Sequence, residues 1–206
     1  MKTSIKNPGR LQTTENGSIL SGYNQDWYST AYKRTRGCGP TVATMLLIYT
    51  NQKESAGLPL SPDNTANIKK AMELVWDYVT PNRFLGTNST EKFTNGLKTF
   101  FTDYKLSWQA KRLPVPLFKS KRPSAHDTAQ FIKTALENDC PVAFLNLQKG
   151  DCHELDTWHW MLITAIDEAN GSYIVKCFDN GNIIGFDLGE WLKTSRFGGG
   201  FVYITK

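Results

Sequence analysis

The hydrophobic periodicity of this 206-residue chain changes near residues 138–141, and that change restricts the folds open to it. Before this segment, apolar residues recur at the three- and four-residue spacing of helices. After it, aromatic and β-branched residues gather in short runs typical of strands. Helices first and antiparallel strands afterwards predict an α+β fold, with N-terminal helices packed on a C-terminal antiparallel sheet. Since no internal repeat is visible, one domain over residues 1–206 is expected.

Caps, prolines and turn dipeptides give the expected boundaries of the elements. Residues 1–30, rich in Asn, Gly, Ser and Thr, predict an irregular N-terminal arm. Residues 38–138 predict a mainly helical half. Its helices are expected near 38–52, from Ser61 to a stop before Pro81, near 89–103 and near 124–138. A strand is expected at 105–111, followed by an irregular connection through Leu113, Pro114, Val115 and Pro116. Residues 141–206 predict a mainly antiparallel sheet half, with strands at 141–147, 158–167, 173–179, 183–186 and 200–205 and a short helix at 188–193.

Composition and charge indicate which binding partners and which cellular location to expect. The net charge is +5, and the densest basic runs, 33–36 and 119–122, are short and separate, which is typical of a solvated surface. Neither run interleaves cations with aromatics, so we expect no nucleic-acid partner. No stretch of about eighteen apolar residues predicts a membrane span, and the polar start at 1–6 does not resemble a secretory signal. We therefore expect a cytoplasmic protein, or a secreted one if a signal has been removed; oligomeric state is not indicated.

Cys38 is the strongest candidate for chemistry. It lies in the run Thr35-Arg36-Gly37-Cys38-Gly39-Pro40-Thr41, directly before an apolar stretch. The two glycines are expected to allow a tight turn, and Pro40 suits the first turn of a helix. Cys38 should thus lie at a helix N-terminus, where free N–H groups and the helix dipole favour a thiolate, the nucleophilic form. The alternative is a small buried residue that only fills space.

Neither the cysteines nor their neighbours predict a metal site. The four cysteines show no CxxC pair, zinc spacing or disulfide framework: Cys38, Cys140, Cys152 and Cys177. Metal-capable side chains do cluster at Cys152, His153, Asp156 and His159, but their spacing fits no familiar ligand pattern. A polar loop leading into a strand is the favoured interpretation, so we expect no metal and no cofactor.

A nucleophilic thiol needs a base, and the chain has three histidines. His126 lies in the capping segment of a helix, where a local cap or a solvated side chain is expected. His153 lies in a polar loop, where mobility would blur any catalytic geometry. His159 opens an apolar strand, which provides rigidity and excludes water, so His159 is the favoured base. Its alternative role is that of a strand-end histidine bonded to a carbonyl.

The histidine in turn needs an orienting group, and the oxyanion of an acyl-transfer intermediate needs donors. If 158–167 and 173–179 form a hairpin, His159 faces either Asp179 or Asn180, and the register decides between them. Asp179 would stabilise an imidazolium, whereas Asn180 would begin a turn. For the oxyanion, the Cys38 N–H is one candidate donor and the Gln25 side chain is the other; an ordinary surface glutamine is its alternative.

Four short motifs together resemble a known family: Tyr23-Asn24-Gln25, Gly37-Cys38-Gly39-Pro40-Thr41, Trp158-His159-Trp160 and Phe178-Asp179. In order and context they resemble papain-like cysteine peptidases, in the branch similar to bacterial double-glycine leader, or bacteriocin-processing, peptidases. The resemblance runs from about residue 20 to the C-terminus. It implies a papain-like fold, with Cys38 as nucleophile, His159 as base and later acid, Asp179 as orienter and Gln25 as oxyanion donor. Because the interval from Gln25 to Cys38 exceeds that in papain, residues 27–36 must loop out.

The activity that this resemblance implies is hydrolysis of a peptide or related amide bond through an acyl-thioester, with a peptide or protein as substrate. Two alternatives remain open at the level of sequence. A papain-like acyltransferase or amide-forming enzyme would use the same residues, because an amine can replace water. A non-catalytic binding module would keep the fold and use its groove for ligands. Nothing in the chain indicates a substrate sequence.

Overall fold

The computed structural model describes residues 1–15, 17–80 and 86–206, and six helices and nine strands form in these residues. The helices are α1 (Ala31–Arg34), α2 (Cys38–Glu54), α3 (Thr65–Trp76), α4 (Thr90–Asp103), α5 (Ala125–Glu137) and α6 (Leu188–Thr194). The strands are β1 (Lys2–Ser4), β2 (Gln12–Glu15), β3 (Ser18–Ser21), β4 (Gln109–Val115), β5 (Val142–Asn146), β6 (His159–Ala169), β7 (Ser172–Asp179), β8 (Asn182–Asp187) and β9 (Gly199–Thr205).

Seven of these strands form one antiparallel sheet in the order β4-β9-β5-β6-β7-β8, with β1 paired to β6. Every residue of β5 and the first eight residues of β6 are buried, so both faces of the sheet are covered at its centre. Helix α2 contacts β5, β6 and β9, and α4 contacts β4 and β9. Helix α5 contacts β1, β5 and β6, and α6 contacts β7 and β8. The α+β prediction is confirmed, and one connected hydrophobic core joins helices and sheet.

Helix α2 is the central helix of the molecule. Its residues 39–51 are all buried, because it contacts α3, the sheet strand β6 and the 3-10 turn Pro8–Leu11. Apolar residues at helical spacing predict burial on one face, but the segment 39–51 is enclosed all round. Two of its buried hydroxyls are satisfied within the helix, since those of Thr44 and Thr50 each donate to the carbonyl four residues earlier at 2.8 Å.

The N-terminal arm is more regular than its sequence predicts. Strand β1 adds to the large sheet beside β6, and β2 pairs with β3 in a separate hairpin. The hairpin meets the sheet through a bridge between Ser21 and Gly181. The prediction of an irregular arm is wrong for these strands because they are only three or four residues long and mostly polar, so no apolar alternation marks them.

Strand β4 also departs from its prediction. We expected a strand at 105–111 and an irregular connection afterwards, but the strand runs from Gln109 to Val115 and includes Pro114. β4 is an edge strand, so one of its sides faces no neighbouring strand. A proline can lie there because its missing N–H removes no hydrogen bond of the sheet. Helix α3 ends at Trp76, and the predicted stop at Pro81 lies outside the described residues. No helix in the described ranges combines the length and apolarity that crossing a membrane requires.

Candidate active site

Cys38 is the first residue of α2, and Gly37 is its N-cap. Among the described residues, no hydrogen bond uses the N–H of Cys38 or of Gly39, and Pro40 has none to offer. Two free N–H groups and the positive end of a seventeen-residue helix therefore lie beside the thiol. This arrangement stabilises negative charge on sulfur or on an oxygen bound next to it.

The glycines on either side of Cys38 serve close packing rather than the tight turn that we expected. Gly37 has φ −80° and Gly39 is helical, so neither needs a left-handed conformation. A Cβ at Gly37 would lie 2.5 Å from the Tyr28 ring. A Cβ at Gly39 would lie 2.8 Å from the Cβ of Thr87. Only glycine fits at these positions, because a neighbouring segment presses against each side of the thiol.

His159 and Asp179 form the second half of the site. His159 opens β6 and is 8% exposed, while Asp179 ends β7. His159 Nε2 lies 2.6 Å from Asp179 Oδ1. Continuing the register of Leu162 opposite Phe178 would place Gly181 directly across from His159, so Asp179 reaches the ring along the diagonal. The expectation that the partner lies straight across the ladder is thus wrong. The turn at Asn170-Gly171 sets Ala169 opposite Ser172, and a β-bulge between Ile163 and Ala165 then shifts the register by only one residue.

The charges around His159 favour its protonated form. Burial alone would lower the pKa of the imidazole, but hydrogen bonds to Asp179 and Cys38 and the charges of both raise the pKa of His159 from 6.5 to about 10. Because Nε2 is engaged by Asp179, Nδ1 is the ring nitrogen that remains for Cys38. The ring thus lies between a carboxylate and a thiol, and the three side chains line one small cavity.

Asn180 and Gln25 support this centre from one side. Asn180 has φ 46° and Gly181 has φ 86°, so they form the tight turn between β7 and β8. Asn180 Oδ1 accepts from the backbone N–H of Gln25 at 3.2 Å. Gln25 Nε2 donates to the carbonyl of Arg34 at 2.9 Å, because residues 27–36 loop out and return. Gln25 consequently lines the same cavity as Cys38 despite the long interval between them.

Buried polar atoms near the thiol that have no hydrogen-bond partner among the described residues include Tyr23 Oη, Gln25 Oε1 and Thr87 Oγ1. Tyr23 and Gln25 line the small cavity, and Thr87 lines the larger cleft beside it. Burial raises the pKa of Tyr23, so its hydroxyl keeps its proton and can donate. Buried groups are normally paired, and unpaired ones around one thiol indicate where water or a substrate binds.

A cleft of about 460 Å³ opens at Cys38. Its walls combine apolar side chains of β5 and of the segment that follows it, Leu145 and Leu147, with Thr87 and with Trp158, which is 49% exposed. Trp158 has φ 59°, a strained conformation for an aromatic residue, directly before His159. Thr87 carries no signal in the sequence. Trp158 was predicted only as part of a motif, although an aromatic residue next to the candidate base His159 was the available signal.

The remaining candidates lie elsewhere. His126 is exposed, and its Nδ1 lies 3.1 Å from the hydroxyl of Tyr173. His153 lies on an exposed loop, and the buried Cys152 directs its Sγ towards the carbonyl of Asp187 at 3.7 Å. Within the described ranges no three metal-capable side chains converge. The sequence cluster around Cys152 is therefore dispersed by the fold.

Comparison with known proteins supports the fold. No protein-family model and no curated protein matches the sequence. Among solved structures, the chain resembles the crystal structure of UfSP from C. elegans, with a TM-score of 0.52 and 8% identity over 98% of this chain and 33% of UfSP. The crystal structure of the Pseudomonas avirulence protein AvrPphB overlaps with a TM-score of 0.34 and 10% identity over 87% of this chain and 96% of AvrPphB.

The chain spans about a third of the length of UfSP. At this level of identity the likeness to UfSP shows the fold alone, and that fold is the papain-like cysteine protease fold. It gives no support to the branch of double-glycine leader peptidases.

Proposed function

We propose that this chain is a cysteine peptidase, which hydrolyses a peptide or related amide bond with Cys38 as nucleophile and His159 as base and acid. One observation carries the proposal: the buried His159 is bonded to the carboxylate of Asp179 and lines one small cavity with a thiol at the start of a helix. This is the arrangement that a thiolate–imidazolium pair needs. Because helix and sheet share one core, we also propose that residues 1–206 act as a single domain.

The proposed reaction has two stages. The Cys38 thiolate attacks the acyl carbon, and His159 gives its proton to the leaving nitrogen, which departs as an amine from the acyl-thioester. Neutral His159 then takes a proton from water while that water attacks the thioester. The acid product leaves, and the thiolate and imidazolium are restored. Asp179 contributes by holding the ring and stabilising its charge through both stages.

The oxyanion of each tetrahedral intermediate has two proposed donors. The free N–H of Cys38 is the first. Gln25 is the second: one hydrogen of its Nε2 binds the carbonyl of Arg34, which fixes the amide and leaves the other hydrogen for the oxyanion. Loss of one such donor typically lowers kcat about 100- to 1,000-fold. The narrower identity of a double-glycine leader peptidase rests on sequence motifs alone and belongs to the same proposal.

Labelling with iodoacetamide between pH 5 and 9 tests the proposal. We expect Cys38 to react rapidly well below pH 8, because the imidazolium sustains a thiolate there. This low-pH reactivity should disappear in His159→Ala, and Cys38→Ala should abolish labelling. The buried thiols of Cys140, Cys152 and Cys177 are internal controls. If Cys38 reacts no faster than these three, the chain is a binding module and the proposal fails.

Hydrolysis and acyl transfer are separated by the fate of the acyl group. A peptide substrate cleaved by the chain is supplied in buffer alone or in buffer with an added primary amine, and the products are weighed by mass spectrometry. The proposal predicts the free acid as the main product in both. A product acylated on the amine in preference to water would instead identify an acyltransferase.

A further inference from the structure

Four exposed apolar side chains form a surface that begins at the mouth of the cleft: Leu117, Phe118, Trp158 and Phe197, here called the rim surface. They are 45–65% exposed and make up four of the nine large hydrophobic side chains that are exposed in the described residues. Trp158 lines the cleft with Cys38, and its ring centroid lies 6.2 Å from that of Phe197. The rim surface is therefore continuous with the cleft. Exposed apolar side chains that cluster in this way mark interaction sites.

Arg122 holds the two loops of the rim surface together. Its guanidinium donates at 2.8–3.2 Å to five backbone carbonyls, two from one loop and three from the other: Pro116, Leu117, Leu192, Ser195 and Arg196. The backbones also touch, since a Cβ at Gly198 would lie 2.2 Å from the carbonyl oxygen of Val115. Leu117, Phe118 and Phe197 are thus presented by a fixed framework, which reduces the ordering cost of binding.

The same two loops carry only positive charge. Segments 116–124 and 191–198 contain no Asp or Glu but have five cations: Lys119, Lys121, Arg122, Lys193 and Arg196. Lys121 Nζ lies 5.9 Å from the centre of the Phe118 ring. No ion pair within the described residues uses Lys121, Lys193 or Arg196. The far end of the rim surface therefore offers apolar contact edged by unpaired cations.

We propose that the rim surface docks a segment of the protein substrate in which an aromatic or aliphatic residue is flanked by Asp or Glu. The inference rests on the proposed function, because the docked segment and the cleaved bond belong to one substrate. Charge complementarity and continuity with the cleft select this occupant. Binding outside the cleft then supplies affinity that the cleft alone does not, and selects substrates by a feature away from the scissile bond.

A single-stranded nucleic acid is the main competing occupant, because cations beside exposed aromatics also suit stacked bases and phosphates. The neighbouring loop argues against it. Asp151, Glu154 and Asp156 are exposed just before Trp158 and form no ion pair within the described residues, so a phosphate backbone near Trp158 would meet three carboxylates. A peptide can instead place basic or neutral residues near Trp158 and acidic residues near Phe118, beside the cations of the rim surface.

The test measures binding without chemistry, in a Cys38→Ala background. The probe is a fluorescein-labelled dodecapeptide in which Glu alternates with Phe and Leu, and its counterpart has Lys in place of Glu. Fluorescence anisotropy should show the acidic peptide binding about tenfold more tightly than the basic one at low salt, with the difference shrinking as salt is added. Equal binding of the two peptides would overturn the proposal.

Substitutions locate the binding. Phe118→Ser with Phe197→Ser should weaken the acidic peptide about fivefold or more, because exposed aromatic anchors dominate small interfaces. Lys121→Glu with Arg196→Glu should remove the preference for acid. Ile174→Ser is the matched control: Ile174 is exposed on β7, five residues before Asp179, and should change binding less than about twofold. If the control and the rim variants behave alike, the rim surface is not the docking site.

Two further results would contradict the docking proposal. Tighter binding of an oligothymidylate than of the acidic peptide, lost in the Phe118 and Phe197 variant, would assign the rim surface to nucleic acid. A concentration-dependent dimer in light scattering that the same variant dissolves would assign it to a second copy of the chain. Because anisotropy needs no thiol and iodoacetamide labelling needs no peptide, the docking proposal and the proposed function fail separately.

Discussion

The two halves of the candidate site are built in different ways. Cys38 is placed by its immediate neighbours, because Gly37, Gly39 and Pro40 define the start of α2. The pair of His159 and Asp179 is placed by strand register, which depends on a bulge in β6 and on a turn after β7. The proposed nucleophile is thus fixed by local chemistry and the proposed base by long-range pairing. Substitutions in each half should therefore fail differently.

Removing the proposed nucleophile should have the largest effect. Cys38→Ser keeps the size of the side chain but replaces the thiol by a hydroxyl that His159 cannot ionise near neutral pH. We expect peptide hydrolysis to fall by about 10⁴-fold or more, as for loss of a triad member. The melting temperature should stay within about 2 °C, because the change is isosteric and half-exposed. Retention of more than a hundredth of the activity would exclude Cys38 as nucleophile.

Asp179→Asn removes the negative charge beside His159 and keeps the size of the side chain. The amide can still accept from His159 but carries no charge to stabilise the imidazolium. We expect kcat/KM to fall about 100-fold, with the optimum moved to lower pH since the pKa of His159 is no longer raised by this carboxylate. Asn180→Ala is the matched neighbour and should leave the pH profile in place. If the pH profile shifts only in Asn180→Ala, the residue that orients His159 is Asn180 and not Asp179.

Gly39→Ala disturbs the packing around Cys38 at the start of α2. The new methyl would lie 2.8 Å from Thr87 and must push that segment or the start of α2 aside. We expect a loss of about 1–3 kcal/mol in the free energy of unfolding, together with slower labelling of Cys38. Gly185→Ala on β8, whose added methyl meets only an ordinary contact at 3.4 Å, should cost less than about 1 kcal/mol. Urea unfolding of both variants compares them, and equal losses would show that the contact with Thr87 is unimportant.

The pH dependence of stability gives the smallest and most specific effect. The folded pKa of His159 is about 10, above its unfolded value of about 6.5. Its contribution to stability is therefore fully present below pH 6.5 and is lost as pH rises towards 10. Urea unfolding at pH 6, 8 and 10 should show wild type and His159→Gln converging as pH rises. A difference that grows with pH would reverse the sign and contradict the protonated histidine.

The same contrast explains what could be predicted from sequence. The start of α2 at Cys38 and the turns at Asn170-Gly171 and Asn180-Gly181 follow from residues adjacent in the chain. The choice between Asp179 and Asn180 could not be made, because one bulge changes every pairing beyond it. Strand β1 was missed since three polar residues gain their structure only from β6.

Residues that act from a distance gave no sequence signal at all. Thr87 reaches the cleft because its segment packs on Gly39, and nothing in the order of residues indicates that contact. Arg122 was counted as part of a solvated basic run, yet its partners are backbone carbonyls, three of them seventy or more positions away along the chain. Carbonyl partners leave no pattern in side-chain composition, so only the fold identifies this role.

The protonation state of His159 tests the central claim most directly. Proton and nitrogen NMR of the imidazole, recorded from pH 5 to 11 in wild type and in Asp179→Asn, gives its pKa in each. The account predicts an imidazolium that persists through pH 8 in wild type, with a pKa near 10, and a lower pKa in the variant. A wild-type His159 that titrates near 6.5, unaffected by Asp179→Asn, would contradict a charged base held between Cys38 and Asp179.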